Sequence, residues 1–144
     1  MQQTQCYDSP MSENRKTVRV AAAIIIHDRQ VFATQRGYGD FKDGWEFPGG
    51  KIEKNETGDT AVVREIKEEL ASTVEPLRLL TTVEMDYPGF HLSMECWICR
   101  VIDGHLKLLE AEDARWLNRE NIDSVDWLPA DRAVVEKLRE TDFL

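Results

Sequence analysis

Three glutamates stand at helical spacing in the segment VVREIKEEL, at positions 65, 68 and 69. Residues three and four positions apart are neighbours on a helix surface, so Glu65 would face both Glu68 and Glu69. Each like-charge pair destabilises an isolated helix by about 0.2–0.5 kcal/mol. The pattern therefore predicts a cation against this face, and carboxylate oxygens suit Mg²⁺ or Mn²⁺. A solvated acidic face is the alternative.

The residues around these glutamates keep a longer pattern of fixed spacing. Gly50 is followed after five residues by Glu56, and after seven more by REIKEE, residues 64–69. This pattern resembles the Nudix box, the signature of enzymes that hydrolyse nucleoside diphosphates linked to another group. The segments WEFPGGKIE, AVVREIKEE and LPADRAVVEKL extend the resemblance over about residues 17–140. They are most similar to the MutT-type and CTP-type nucleoside triphosphate pyrophosphohydrolases.

The resemblance implies a metal site and its supports. The implied metal ligands are the backbone carbonyl of Gly49 and the carboxylates of Glu65, Glu68 and Glu69. Glu56 would be a supporting carboxylate of the box. Arg64 would orient the glutamates, a role that is compatible with an ordinary helix pair to Glu68. Mg²⁺ is the expected cofactor, with Mn²⁺ as a substitute, and it would bridge the enzyme and the substrate phosphates.

A further glutamate, Glu110, lies six residues before Trp116, a spacing that is common in this family. Glu110 would be a metal ligand or the general base. Glu112 and Asp113 compete for that role, and a solvated turn is another interpretation. Glu65 is the second candidate for the general base, and the spacing leaves both candidates open.

The same resemblance places Arg36, Phe47 and Asp131 at positions that face the substrate. Lys51, next to the glycines, could meet a phosphate. Phe47 would pack against the nucleobase or in the core, while Arg36 and Lys51 could also be ordinary surface residues. A carboxylate only accepts hydrogen bonds, so Asp131 would favour an exocyclic amino group such as that of cytosine or adenine. The alternative for Asp131, which follows Pro129, is a cap of the last helix.

The box departs from the family pattern at its end. Ala71 and Ser72 stand where the family usually has glycine and an aliphatic residue. Helices commonly end there in a left-handed conformation, which costs alanine about 1 kcal/mol. We therefore expect the helix to run on or to exit differently, with no carboxylate lost.

Periodicity predicts the elements that position these residues. Strands are expected at about residues 17–27, 30–36, 77–87, 90–102 and 114–117, and a short extended piece at 45–52. A helix over about 58–70 would start at an N-cap Thr57 and bury Val63, Ile66 and Leu70. This arrangement is typical of an α/β fold, and the resemblance makes it a Nudix-type α/β/α sandwich with a mixed sheet.

A second helix is expected over Ala130–Arg139, with Val134, Val135 and Leu138 as its apolar side. The segment CWIC falls in a predicted strand, where Cys96 and Cys99 would point to opposite faces and form no metal or redox site.

Length and charge limit the classes of function. The 144 residues suit one domain, expected at 17–144 after a weakly ordered arm at 1–16. Eighteen basic against 27 acidic residues give a net charge of −9, which disfavours binding of nucleic acid polymers. No apolar run is long enough for a membrane span and no export signal is visible, so a cytoplasmic protein without a membrane partner is expected.

Together the residues and the resemblance predict an enzyme that acts on a small nucleotide. It would hydrolyse CTP, a modified dCTP or an oxidised purine nucleotide to a nucleoside monophosphate and pyrophosphate, as a monomer or homodimer that cleans the nucleotide pool. The alternatives are a hydrolase of another nucleoside diphosphate derivative, such as ADP-ribose, and a non-catalytic module that senses a nucleotide.

Overall fold

The structure, a computed structural model, describes residues 15–144. The arm predicted at 1–16 therefore lies outside the described residues except for its last two. The strands are β1 Lys16–His27, β2 Gln30–Gln35, β3 Trp45–Glu46, β4 Gly49–Lys51, β5 Thr73–Tyr87, β6 Phe90–Asp103 and β7 Asp113–Leu117. The helices are α1 Gly58–Leu70 and α2 Pro129–Arg139.

The strands form one mixed sheet, as predicted. Its order is β3-β2-β1-β6-β5, with β4 paired to β1 and β7 paired to β2. β1 and β6 run parallel, whereas the other strand pairs are antiparallel. β1 and β2 form a hairpin that turns at Asp28 and Arg29, both with positive φ (51° and 61°), which suits a tight two-residue connection between twisted strands.

Alternate residues of β1 enter two separate cores, because side chains of a strand point to opposite faces. Ala21, Ala23 and Ile25 pack with the buried residues of α1. Ala22 and Ile24 pack in a second cluster, which also contains the buried side of α2: Val134, Val135 and Leu138. Helices thus cover both faces of the sheet, and the predicted α/β/α sandwich is confirmed.

Helix α1 has the predicted bounds but a shifted buried face. Val62, Ile66 and Leu70 are fully or almost fully buried, whereas Val63 is only partly buried. Thr57 has the extended backbone of an N-cap (φ −89°, ψ 161°), yet its hydroxyl donates to Asp59 Oδ1 at 2.6 Å and caps no backbone group. The position of the cap was predicted correctly, and its hydrogen bond was not.

The end of α1 contradicts the expectation of a longer helix or a different exit. Ala71 adopts the left-handed conformation (φ 51°, ψ 37°), and its N–H donates to the carbonyl of Lys67. The buried Ser72 hydroxyl donates to the carbonyl of Leu70 at 3.0 Å and accepts from the N–H of Leu106 at 2.7 Å. Polar contacts of Ser72 thus connect the helix end to the loop after β6.

The substitution Ala71→Gly should stabilise the fold, because glycine adopts positive φ without the Cβ clash that alanine suffers. We expect the free energy of unfolding to rise by about 1 kcal/mol, equivalent to about 3 °C in melting temperature for a chain of this size. Thermal and urea unfolding of the variant and the wild type measure this, and a lower melting temperature would contradict it.

Cys96 and Cys99 lie in different cores, Cys96 with α2 and Cys99 with α1, and both are free and buried. The prediction that they point to opposite faces is confirmed. Burial raises the pKa of the Cys99 thiol to about 12. Within residues 15–144, no helix has both the length and the apolarity that a membrane crossing requires.

Candidate active site

The two glycines that open the box allow close packing of β4. A Cβ at Gly50 would lie 2.3 Å from Glu65 Oε1 of α1, and one at Gly49 would lie 2.1 Å from the carbonyl oxygen of Ala21 in β1. Both distances are shorter than heavy atoms tolerate, so a side chain at Gly49 would displace the backbone of β1, and one at Gly50 would displace the Glu65 carboxylate. The glycines therefore set the Glu65 carboxylate directly against the β4 backbone.

Arg64 connects the loop before α1 to the helix. Its Nε and Nη2 donate to the two carboxylate oxygens of Glu56 at 2.8 and 2.9 Å, and Nη2 also donates to the carbonyl of Lys51 at 2.9 Å. The Arg64 guanidinium, helped by the backbone N–H of Glu53, lowers the pKa of Glu56 to about 2. A bidentate arginine–carboxylate pair fixes orientation as well as distance, so Arg64 holds the loop in place.

This pair predicts a stability difference that depends on pH. A carboxylate with a lowered folded-state pKa stabilises the fold above its ordinary pKa of 4.5 and loses that contribution as pH falls through about 2. The loss of stability caused by Glu56→Gln should therefore be constant near neutral pH and shrink between about pH 4.5 and 2. Urea unfolding of both proteins along this range measures it. A difference that stays constant at acid pH would show that Glu56 acts without its charge.

The glutamates of α1 meet at the face that the sequence indicated. Arg64 Nη1 lies 2.8 Å from Glu65 Oε2 and 3.3 Å from Glu68 Oε1. Glu69 is partly buried beside Glu65. Burial, followed by a hydrogen bond with Glu65 and then by the charges of Glu65 and Glu110, raises the pKa of Glu69 to about 9. Crowded carboxylates of this kind are stabilised by a cation.

The chemistry of these groups fits a divalent metal ion. Among residues 15–144, no three His, Cys, Asp or Glu side chains converge closely enough to enclose a metal ion by themselves. Mg²⁺ does not need a closed protein cage, because it commonly takes one or two carboxylates and completes its octahedron with water and substrate phosphates. Glu65, Glu69 and the adjacent backbone of Gly49 offer such oxygen ligands, so the donor set suits Mg²⁺.

Two cavities share a wall at β3 and β4. The apolar pocket, of about 200 Å³, is lined mainly by apolar and aromatic side chains, among them Phe41, Phe47, Tyr87, Phe90, Met94 and Leu128. The polar cavity, of about 690 Å³, includes Lys51, Glu69 and Glu110 in its lining. Arg36, Glu46 and Gly49 line both. One ligand with a planar apolar part and a charged part can therefore occupy both cavities.

The apolar pocket contains a buried carboxylate. Asp131 is 5% exposed, and its Oδ1 accepts the backbone N–H of Phe47 at 2.9 Å. Burial raises the pKa of Asp131 to about 7. Leu128 occupies the N-cap position of α2, so the alternative in which Asp131 is the cap is wrong. Phe47 is 4% exposed and stacks on Trp127 with ring centroids 4.6 Å apart, so it is largely a core residue that also lines the pocket.

Arg36 and Glu46 form part of the wall that the two cavities share. Arg36 Nε and Nη2 donate to Glu46 at 3.1 and 2.5 Å, and Nη1 donates to the carbonyl of Asp40 at 2.9 Å. The predicted residue Arg36 therefore lies at the site, but the sequence did not single out Glu46. The sequence did contain a signal for Glu46. It stands between Trp45 and Phe47, which are both buried, so in an extended chain its side chain points to the opposite side.

Of the three acidic candidates before Trp116, only Glu110 lines the polar cavity. The hydroxyl of Tyr38 approaches Glu110 Oε1 at 3.4 Å. Glu112 lies 3.6 Å from Lys42 Nζ, and Asp113 is the first residue of β7. Lys51, also predicted, is exposed and lines the polar cavity. The fold thus brings Glu110 and Lys51 to the same cavity as Glu69.

This fold and site define a class: an α/β/α sandwich with a carboxylate-rich helix beside a cavity for a charged, planar ligand. The model of the NUDIX domain matches residues 17–143. The chain belongs to the NUDIX family and is a Nudix hydrolase, so the predicted family and enzyme class are confirmed.

Individual relatives agree with this family. The chain is 31% identical to the 8-oxo-dGTP diphosphatase of Escherichia coli over 126 residues, which cover 86% of this chain and 98% of that one. It is 30% identical to the CTP pyrophosphohydrolase of Escherichia coli over 122 residues, covering 84% and 90%. The crystal structure of a MutT NUDIX hydrolase from Burkholderia pseudomallei matches with a TM-score of 0.79 at 23% identity, covering 86% and 99%, which supports the fold.

Proposed function

We propose that the chain hydrolyses a nucleoside triphosphate to a nucleoside monophosphate and pyrophosphate, in a reaction that depends on Mg²⁺. The candidate substrates are CTP, a modified dCTP and an oxidised purine nucleotide such as 8-oxo-dGTP. The observation that carries the proposal is the shared wall of the two cavities, because a nucleotide has an apolar planar base and a charged phosphate chain. The names of the two bacterial relatives support the same substrates.

In this proposal the base occupies the apolar pocket. Asp131 uses one carboxylate oxygen for the N–H of Phe47, which leaves the second oxygen as an acceptor for an amino group of the base. A buried acceptor without its donor is costly, so bases that lack an amino group at this place are disfavoured. Most of the remaining lining is apolar or aromatic, which limits water at the contact.

The phosphate chain then extends into the polar cavity. Glu65, Glu68, Glu69 and the Gly49 carbonyl would hold Mg²⁺, which at such a site supplies activation of water and neutralisation of phosphate charge. Lys51 lies where it can meet a phosphate oxygen. Arg64 keeps Glu65 and Glu68 in place through its own hydrogen bonds. Water attacks the α- or β-phosphorus and gives its proton to the general base. The P–O bond of the α–β bridge breaks, and the products are the nucleoside monophosphate and pyrophosphate.

Two residues remain candidates for the general base. Glu65 is held by Arg64 and the β4 backbone, whereas Glu110 is exposed at the cavity and has a long contact to Tyr38. The dependence of kcat on pH in Glu65→Gln and Glu110→Gln distinguishes the two candidates. In wild type kcat should fall at acid pH, where the base becomes protonated, and only the variant that lacks the base should lose this fall.

The direct test is release of pyrophosphate and orthophosphate from CTP, 5-methyl-dCTP, 8-oxo-dGTP, dATP and ADP-ribose, with and without Mg²⁺. Pyrophosphate from a few triphosphates, only with metal, supports the proposal. Turnover of ADP-ribose alone would replace it with the alternative hydrolase, and nucleotide binding without any turnover would favour the sensing module. We further propose that the enzyme acts in the cytoplasm on free nucleotides, as a monomer or homodimer.

The substitution Asp131→Asn should change base preference, because the amide can donate as well as accept. We expect the ratio of kcat/KM values for CTP and 8-oxo-dGTP to shift by about tenfold or more, since a mismatched buried hydrogen bond costs about 1–3 kcal/mol. The exposed Asp142→Asn serves as the control. An unchanged ranking of substrates would assign Asp131 to support of the Phe47 backbone alone.

A further inference from the structure

Phe41 combines two features that are unfavourable for a bulky apolar residue. Its backbone is in the left-handed region (φ 63°), where residues with a Cβ are uncommon and bulky ones are outliers. Its side chain is 51% exposed. Such a residue costs free energy in its backbone and recovers little by burial, so its conformation points to a contact that forms only with a ligand.

The loop that carries Phe41, residues 37–44, is well anchored. The backbone N–H of Arg36 donates to the carbonyl of Gly44 at 2.9 Å, and the N–H of Asp43 donates back to the carbonyl of Arg36 at 2.8 Å. The N–H of Gly44 donates to the carbonyl of Phe41 at 3.0 Å, and the Arg36 side chain holds the carbonyl of Asp40. The left-handed turn is therefore fixed by hydrogen bonds on both sides of Phe41.

The ring of Phe41 begins a row of aromatic side chains at the apolar pocket. It meets Tyr87 edge-on, with centroids 6.2 Å apart, and Tyr87 stacks on Phe90 at 5.0 Å with an interplanar angle of 14°. All three rings line the pocket that contains Asp131. Tyr87 and Phe90 belong to the β5–β6 hairpin, whereas Phe41 comes from a separate loop.

We propose that Phe41 is a base-binding residue whose ring packs against the nucleobase, and that it completes with Tyr87 and Phe90 an aromatic enclosure for planar bases. This inference rests on the proposed function. The contact needs only the π face or edge of the base, so it adds affinity for planar bases in general, while Asp131 selects among them by hydrogen bonding.

The variants Phe41→Ala, Phe41→Gly and Phe41→Tyr test the ring and the backbone separately. Loss of one base–aromatic contact should raise KM for the best triphosphate of the panel about tenfold in both Phe41→Ala and Phe41→Gly. The kcat values should stay within about two-fold of wild type, because the contact exists equally in the ground and transition states. Phe41→Tyr keeps the ring and should keep KM near that of wild type.

Melting temperatures distinguish this role from a structural one. Phe41→Gly should melt several degrees above Phe41→Ala, since glycine suffers no penalty at φ 63°. If Phe41 only shaped the loop, KM would follow stability, and Phe41→Gly would bind better than Phe41→Ala. Equal KM values for these two variants, both raised, support the ring contact.

Two further outcomes have separate meanings. Ala71→Gly makes the same kind of backbone change at a residue that does not line the pocket, and it should leave KM unchanged, which controls for stability alone. An active wild type with no rise of KM in Phe41→Ala overturns this inference and leaves the proposed function intact. A wild type that releases no pyrophosphate from any triphosphate overturns both.

Discussion

Substitution of Glu69 by glutamine is expected to lower kcat by at least about 100-fold while the protein remains folded. Substitutions one contact away from a metal typically cost about 10–100-fold, so loss of a ligand should cost at least as much. Glutamine keeps the shape of the side chain but removes its charge, and Glu69 is the partly buried carboxylate that Glu65 and Glu110 crowd. Steady-state hydrolysis of the best triphosphate measures the effect, and Glu68→Gln should behave in the same direction.

A second measurement separates metal binding from catalysis. Mg²⁺ that binds only the folded wild type should raise its melting temperature, and the rise should grow as the Mg²⁺ concentration exceeds Kd. Glu69→Gln should lose most of that rise. Without divalent ions, Glu69→Gln should be at least as stable as wild type, because it removes the cost of holding a partly buried carboxyl group beside other carboxylates. Glu136→Gln on α2, whose carboxylate pairs at the surface with Arg139, is the matched control. Wild-type kcat in Glu69→Gln would refute the metal assignment.

The sequence predicted the box well because its geometry is local. Helical spacing alone brings Glu65 beside Glu68 and Glu69, and the bounds of α1 follow from its caps and periodicity. The strand predicted over residues 17–27 likewise matches β1. The predicted buried face of α1 differs from the observed one by one position, because Val62 is buried where burial of Val63 was expected. One position along a helix corresponds to about 100° of rotation.

The end of α1 shows why a departure from a family pattern need not change a backbone. The expectation of a different exit assumed that Ala71 would avoid positive φ. Its penalty of about 1 kcal/mol is small beside the burial of Leu70 and the hydrogen bonds of Ser72 to Leu70 and Leu106. Tertiary contacts therefore decided the conformation.

The apolar pocket could not be predicted in full, because its wall is assembled from segments far apart in sequence. Phe41, Tyr87 and Phe90 meet only after the loop before β3 lies across the β5–β6 hairpin. The pairing of Arg36 with Glu46 likewise spans two strands, β2 and β3. Short-range periodicity holds no information on such contacts. Phenylalanine as a residue type also does not predict the positive φ of Phe41.

Substitution of Arg64 by lysine is expected to lower kcat by about 10–100-fold, the range typical for residues that orient metal ligands. Arg64 donates from three nitrogens to Glu56, Glu65, Glu68 and the carbonyl of Lys51. A lysine ammonium is a single point donor on a flexible stem and cannot span these acceptors. The glutamates would keep their charge but lose their fixed positions.

The Mg²⁺ dependence of activity shows whether Arg64 acts through the metal ligands. If it positions Glu65 and Glu68, Arg64→Lys should need a higher Mg²⁺ concentration for half-maximal activity, and saturating Mg²⁺ should restore part of kcat. A purely structural role would lower the melting temperature and leave the Mg²⁺ requirement of the folded enzyme unchanged. Arg132→Lys on α2, whose guanidinium pairs with the exposed Asp123, is the matched control and should change neither. Because the Glu56 pair would also be weakened, Arg64→Lys and Glu56→Gln should lower stability less than additively when combined, as expected for partners in one network.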